Sequence, residues 1–151
     1  MTQPTRSIEQ GATEIRGDAQ VVHYLLRFPQ PVETVWTALA TPDGLRGWLT
    51  VAEVFEPRLG GAVTLRGLGP GRITAWDVER VAEYTVEGRG RVRFHLEPGA
   101  ADGTGTTVRF THEFAHEFEG EREQPDWRAR FERLVTALDA GTTAGTPDAS
   151  T

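Results

Sequence analysis

Residues 28–48 read FPQPVETVWTALATPDGLRGW, and this stretch decides how the rest of the chain is read. It opens where a strand is ending, because Pro29 and Pro31 lack the backbone N–H that a continuing ladder needs. A short helix follows, with Pro31 suited to its first turn and Glu33 to its positive N-terminal end. Val32, Val35, Trp36 and Leu39 recur at i, i+3, i+4 and i+7, which is one apolar helix face. Thr41-Pro42-Asp43-Gly44 then breaks the helix, and Leu45, Trp48 and Leu49 make a second small apolar group. Tryptophans at 36 and 48 carry more apolar surface than so short a segment buries alone, so they need a large partner surface.

The neighbouring sequence supplies it. Residues 20–28 form a strand, with Val22, Tyr24, Leu26 and Phe28 on one face and His23, Leu25 and Arg27 on the other. Residues 12–16 and a Gly17-Asp18 turn complete a hairpin with it. Residues 1–11 are polar and without period, and are expected to be a flexible arm. Beyond the helical stretch, strands recur about every ten residues, at 53–56, 62–66, 72–78, 81–86, 91–97 and 106–114. Short glycine-rich turns between them imply an antiparallel meander. The last strand is the clearest: Val108, Phe110, His112 and Phe114 alternate with Thr107, Arg109, Thr111 and Glu113.

The chain closes with a helix that starts at Pro125-Asp126 and runs to about Ala140. Trp127, Phe131, Leu134, Val135 and Leu138 form its apolar stripe, and Gly141 is the expected stop. Residues 142–151, TTAGTPDAST, are expected to be a disordered tail, which leaves one domain over 12–141. Half-apolar strands and one long amphipathic helix force an α+β layer arrangement, with the helix across the sheet. A gap between a twisted sheet and such a helix is where a small apolar ligand would bind.

Composition removes whole classes of function. The net charge of -6 opposes nucleic-acid binding. Arg89, Arg91 and Arg93 alternate, as on one solvated strand face. The chain has no Cys, Lys or Asn, and serine stands only at Ser7 and Ser150. Disulfides, thiolate metal sites, cysteine and serine nucleophiles, Schiff-base lysines and phosphate-loop lysines are therefore excluded. With no apolar run long enough to span a bilayer and no apolar leader, the expected location is cytoplasmic. The Arg-, Ala- and Gly-heavy usage suits a GC-rich bacterial genome.

His112-Glu113-Phe114-Ala115-His116 matches the zinc-protease pattern H-E-x-x-H, which needs a helix to bring both histidines to one face. On a strand the two lie roughly 13 Å apart, too far to share one ion. No metal and no cofactor are expected.

Four segments in order carry a resemblance. They are P-x-x-x-V-W-x-A-L-x-T-P-x-x-L-x-x-W from Pro31 to Trp48, E-P-x-x-G-G from Glu56 to Gly61, G-T-x-x-x-x-T-H from Gly105 to His112, and, from Trp127 to Leu138, a helix that begins near a Trp and carries F-x-x-L-x-x-x-L. Together, over residues 12–141, they resemble the SRPBCC (START-like, birch-pollen-allergen-fold) superfamily. Within it they are similar to the activator of heat-shock-protein-90 ATPase homologue branch in its short bacterial form. The resemblance implies a helix-grip fold: a curved antiparallel sheet of about six to seven strands wrapped around the C-terminal helix, with two short helices after the first main strand. It does not carry chaperone activation with it, because the chain lacks room for the second domain that eukaryotic co-chaperones use.

These readings lead to a binding protein for a small hydrophobic molecule, as a monomer or homodimer. Trp48, Leu65, Phe94, Phe110, His112, Phe131 and Val135 are the expected cavity lining, with Trp48 near its mouth. Tyr24 and Tyr84 are further polar tips; Trp36 and Trp127 are expected to be structural, and Trp76 has no assigned place. One alternative is a cyclase or hydratase using His112 as acid and base, with a second polar group beside it. Another is a co-chaperone-like interaction module with a large exposed apolar patch.

Overall fold

The computed structural model describes residues 7–99, 105–115 and 126–150, with side chains as far as residue 140. The central strand is β3 (Ala19–Phe28), which pairs antiparallel along its whole length with β9 (Thr106–Ala115). Its other side is shared by β1 (Ser7–Gln10) and β2 (Glu14–Arg16). The remaining strands, β4 (Ala52–Phe55), β5 (Ala62–Leu65), β6 (Gly69–Asp77), β7 (Val81–Val86) and β8 (Gly90–Pro98), meander back to β9. One curved, open sheet of nine strands results, in the order β1-β3-β9-β8-β7-β6-β5-β4 with β2 beside β3. The fold class is the one expected, with more strands than the six to seven anticipated.

Part of that excess is β1, which lies inside the stretch expected to be a flexible arm. Its single packed apolar side chain, Ile8, gives almost no periodic signal. What holds it is backbone pairing with Tyr24–Arg27, which covers an otherwise open edge of β3.

Between β3 and β4 run α1 (Val32–Ala40) and α2 (Pro42–Arg46). The Pro31 carbonyl accepts from the Thr34 and Val35 amides and starts α1. Thr41 is the corner: its hydroxyl donates to the Thr37 carbonyl and accepts from the Gly44 amide, which caps α2. A side chain at Gly44 would place its Cβ 2.1 Å from the Thr37 carbonyl oxygen, so glycine is what lets the two helices touch. The predicted break is thus a helix-to-helix turn.

The last element, α3 (Trp127–Ser150), lies on the inner face of the sheet and also touches α1 and β1. Gly141 was expected to end it. The backbone instead stays helical through that position, without the left-handed conformation that a glycine stop requires. Trp127, Phe131, Leu134 and Leu138 are buried as the stripe predicts. No helix among the described residues is long and apolar enough to cross a membrane.

Candidate functional site

Period-two alternation sets the inner face in cross-strand rows. One row runs Tyr24, Phe110, Phe94, Ala82, Trp76 across β3, β9, β8, β7 and β6. The next runs Val22, His112, Val92, Tyr84, Ile73. Over the first row lies Phe131 of α3, its ring centroid 5.0 Å from Phe110, 5.2 Å from Tyr24, 5.6 Å from Trp127 and 5.9 Å from Trp48. Trp48 in turn lies 6.0 Å from Phe94, which is 5.2 Å from Phe110. Most of these contacts are edge-on or tilted, the geometries that aromatic pairs favour.

Of the residues expected to line a cavity, Trp48, Phe94, Phe110 and Phe131 therefore form one cluster of touching rings. Leu65 is buried in the same core from β5, and Val135 is half-buried on the flank of α3. Trp48 was expected near the mouth but is 1% exposed. Its indole N–H donates to the Ala38 carbonyl at 2.9 Å, which turns the ring inward under α1.

His112 is 4% exposed and stands between sheet and helix. The Trp127 indole N–H can only donate, so at 3.1 Å the Nδ1 of His112 accepts from it. The neutral ring then carries its proton on Nε2 and donates to the Arg89 carbonyl at 2.8 Å. Gly90 makes that contact possible: it has a φ of 92°, and a Cβ there would fall 2.1 Å from the Glu113 carbonyl oxygen. Burial lowers the His112 pKa, and the nearby Arg89 charge adds to the effect against the opposing carbonyl bond. Both ring nitrogens are thus committed, and neither partner is an acid or a base. The strand carrying it presents Glu113 outward, bonded to Arg91, so the H-E-x-x-H segment is extended as far as Ala115. His116 lies outside the described residues.

The tyrosines differ. Tyr84, whose register the sequence left open, points inward and donates to the Leu39 carbonyl at 2.8 Å. Burial pushes its pKa up. Tyr24 wedges its ring against Phe131 and Phe110, and burial raises its pKa as well. Trp76 finds its place through a bulge between Ile73 and Ala75 in β6, which returns it to the inner face. There it packs on Trp36 at 5.1 Å and Phe55 at 6.2 Å, and reaches the rings beneath α3 only through Phe55, Tyr84 and Phe94. A bulge is an interruption of period two, so no alternation pattern could have located Trp76.

The outer face is polar. Glu83 is buried there, accepting from Thr74 at 2.7 Å with Arg93 3.6 Å away. Among the exposed large apolar residues, Ile15 and Val54 lie toward opposite edges of the sheet, on β2 and β4, while Leu59 follows β4 and Val78 follows β6.

The family model described as Activator of Hsp90 ATPase homolog 1-like protein matches residues 29–139. The chain belongs to that family. Its place in the SRPBCC superfamily, read above from the order of four motifs, agrees with solved structures that share the architecture. A conserved protein of unknown function from Enterococcus faecalis superposes with a TM-score of 0.72 at 17% identity, over 84% of this chain and 75% of that one. A Rhodobacter sphaeroides protein gives 0.67 at 21%, over 91% and 99%. DynU16, from the dynemicin biosynthetic locus, gives 0.62 at 19% over 83% of this chain, which spans 49% of DynU16. At these identities the likeness is one of fold. No curated protein matches the sequence. The Activator of Hsp90 ATPase homolog 1-like fold is compatible with ligand binding.

Proposed function

We propose that this protein binds a small hydrophobic molecule between the inner face of the sheet and α3, with no chemical step. The observation that carries the reading is the ring cluster around Phe131, where helix and sheet meet through aromatic faces. Such surfaces suit an apolar guest, which replaces ring–ring contacts with ring–ligand contacts at little net loss of dispersion. The polar tips nearby are occupied by the protein itself: Trp48 by Ala38, Tyr84 by Leu39, and His112 by Arg89 and Trp127. Acid–base chemistry on His112 would require it to release either its bond to Trp127, which joins helix to sheet, or its bond to Arg89, which ties β9 to the turn before β8. That counts against the cyclase or hydratase alternative.

In this reading α3 is both wall and lid, and a guest enters by parting Phe131 and Trp127 from Phe110. Fluorescence titration of the full chain with Nile red tests it. Saturable binding, weakened in Phe131→Leu, is the expected result. No saturable binding, or equal binding by a folded Phe131→Leu variant, would place any ligand site elsewhere.

A further inference from the structure

His112 and Trp127 meet where α3 begins, and their bond has a direction that a proton reverses. The Trp127 indole is a donor only, so the bond exists while Nδ1 of His112 is bare. A second proton on the ring occupies Nδ1, and two N–H groups then point at each other across 3.1 Å. The other ring bond survives. Nε2 donates to the Arg89 carbonyl in either state, and a charged ring donates more strongly. Acid therefore breaks the bond of His112 to the helix and keeps its bond to the sheet.

Among the described residues no carboxylate is paired with the ring, and the charge that bears on it is the Arg89 guanidinium, which opposes protonation. Glu113, next on β9, points to the outer face and is bonded to Arg91. The cross-strand neighbours of His112 are Val22 on β3 and Val92 on β8, and the rings of Phe114 and Trp127 flank it. At the start of α3, Asp126 accepts from the Ala129 amide, Arg128 donates to the Ile8 carbonyl and Arg130 to the Leu49 carbonyl. A charged His112 is thus favoured by any movement that admits water, and the contact it has lost is the one to α3. Trp127 is the first residue of that helix, while a bond from Gln30 to Asp139 holds it about three turns further along.

We propose that the His112–Trp127 bond is a proton-operated latch: protonation of His112 frees the first turn of α3 and opens the interior, so that a guest enters faster in acid than at neutral pH. The passage of a guest rests on the interior binding site proposed above; the latch itself does not. The sign follows from burial, which holds the closed ring below its ordinary value of 6.5, whereas the opened ring returns to that value. Opening therefore takes up one proton as the pH falls below about 6.5.

Two measurements on the full chain test this. The first needs no guest: solvent exchange of the Trp127 indole N–H, followed by NMR, against that of Trp48, whose bond to the Ala38 carbonyl does not titrate. Both indoles are buried, and their ratio removes the effect of pH on the exchange chemistry itself. Between pH 7.5 and 5.5, Trp127 should gain about tenfold over Trp48, the size of one linked proton over one pH unit below 6.5. His112→Gln offers one acceptor and one donor that acid leaves alone, and should abolish the gain. An unchanged ratio in the wild type, or the same gain in a folded His112→Gln, would overturn the latch. The second is stopped-flow binding of N-phenyl-1-naphthylamine, a probe that is neutral at both pH values. Its association should quicken about tenfold at pH 5.5, and Trp127→Phe, which lacks the indole donor, should show no such gain. Probe binding at equal rates at the two pH values would overturn the proposal and leave the interior site standing. Faster exchange of Trp127 in acid with no probe binding at either pH would leave the latch and overturn the interior site.

Discussion

The two faces of β7, β8 and β9 solve the same problem in opposite ways. On the outer face, polar side chains pair with each other near solvent, as Arg91 does with Glu113 and Arg93 with Glu83. On the inner face, polar tips bind backbone carbonyls or a ring nitrogen: Tyr84 to Leu39, Trp48 to Ala38, Trp127 to His112 and His112 to Arg89. Outer pairs gain little, because water competes for both partners. Inner bonds are costly to lose, because no water replaces the missing partner. One strand can therefore hold adjacent residues, His112 and Glu113, whose removal should have very different consequences.

The largest effect is expected at the ring cluster. Phe131→Ala empties a fully buried site touching several rings, and should cost about 3–5 kcal/mol in chemical denaturation. A cost nearer roughly 1–2 kcal/mol would mean that less packing is lost there than the ring contacts imply. Next is His112→Leu, which leaves the Trp127 indole N–H and the Arg89 carbonyl without their partner. At about 1–3 kcal/mol for each stranded group, the loss should be roughly 2–6 kcal/mol. A loss as small as that of an outer-face variant would erase the distinction between the faces.

A pH series sharpens the same contrast. Burial holds the folded His112 pKa below its ordinary value of 6.5, so the unfolded chain takes up the proton first. The stabilisation from the neutral ring is complete above about pH 6.5 and is lost as the pH falls from there through the lower folded value. Wild type should therefore lose more stability than His112→Leu between about pH 7.5 and 5.5. Parallel losses in the two proteins would mean that His112 does not titrate differently on folding. The smallest effect is expected from Arg91→Ala, whose exposed pair with Glu113 should be worth under about 1 kcal/mol and fade with added salt.

The same contrast explains what could be read before the structure was known. β9 was legible because its alternation is unbroken from Thr107 to Phe114, and α3 because Trp127, Phe131, Leu134 and Leu138 keep helical spacing. These rules placed Phe94, Phe110 and Phe131 together. They could not place Trp76, which depends on a bulge, or β1, which packs one apolar residue. Nor could spacing foretell the partners of His112, since Arg89 and Trp127 reach it from a turn and a helix distant in sequence. Trp48 was misplaced toward the mouth because the bond that turns it inward goes to a backbone carbonyl, and any residue carries one.

The central claim is that a small apolar molecule lodges beneath α3, and the four tryptophans provide both detector and control. Trp48 and Trp127 touch Phe131 directly, whereas Trp36 and Trp76 pack on each other and reach the rings around it only through Phe55, Tyr84 and Phe94. Their indole N–H signals can be followed by 15N-resolved NMR during titration with N-phenyl-1-naphthylamine. The account predicts saturable shifts of the Trp48 and Trp127 signals with a common midpoint, and little change in the other two. Shifts confined to Trp36 and Trp76, or no saturable shift at all, would contradict it.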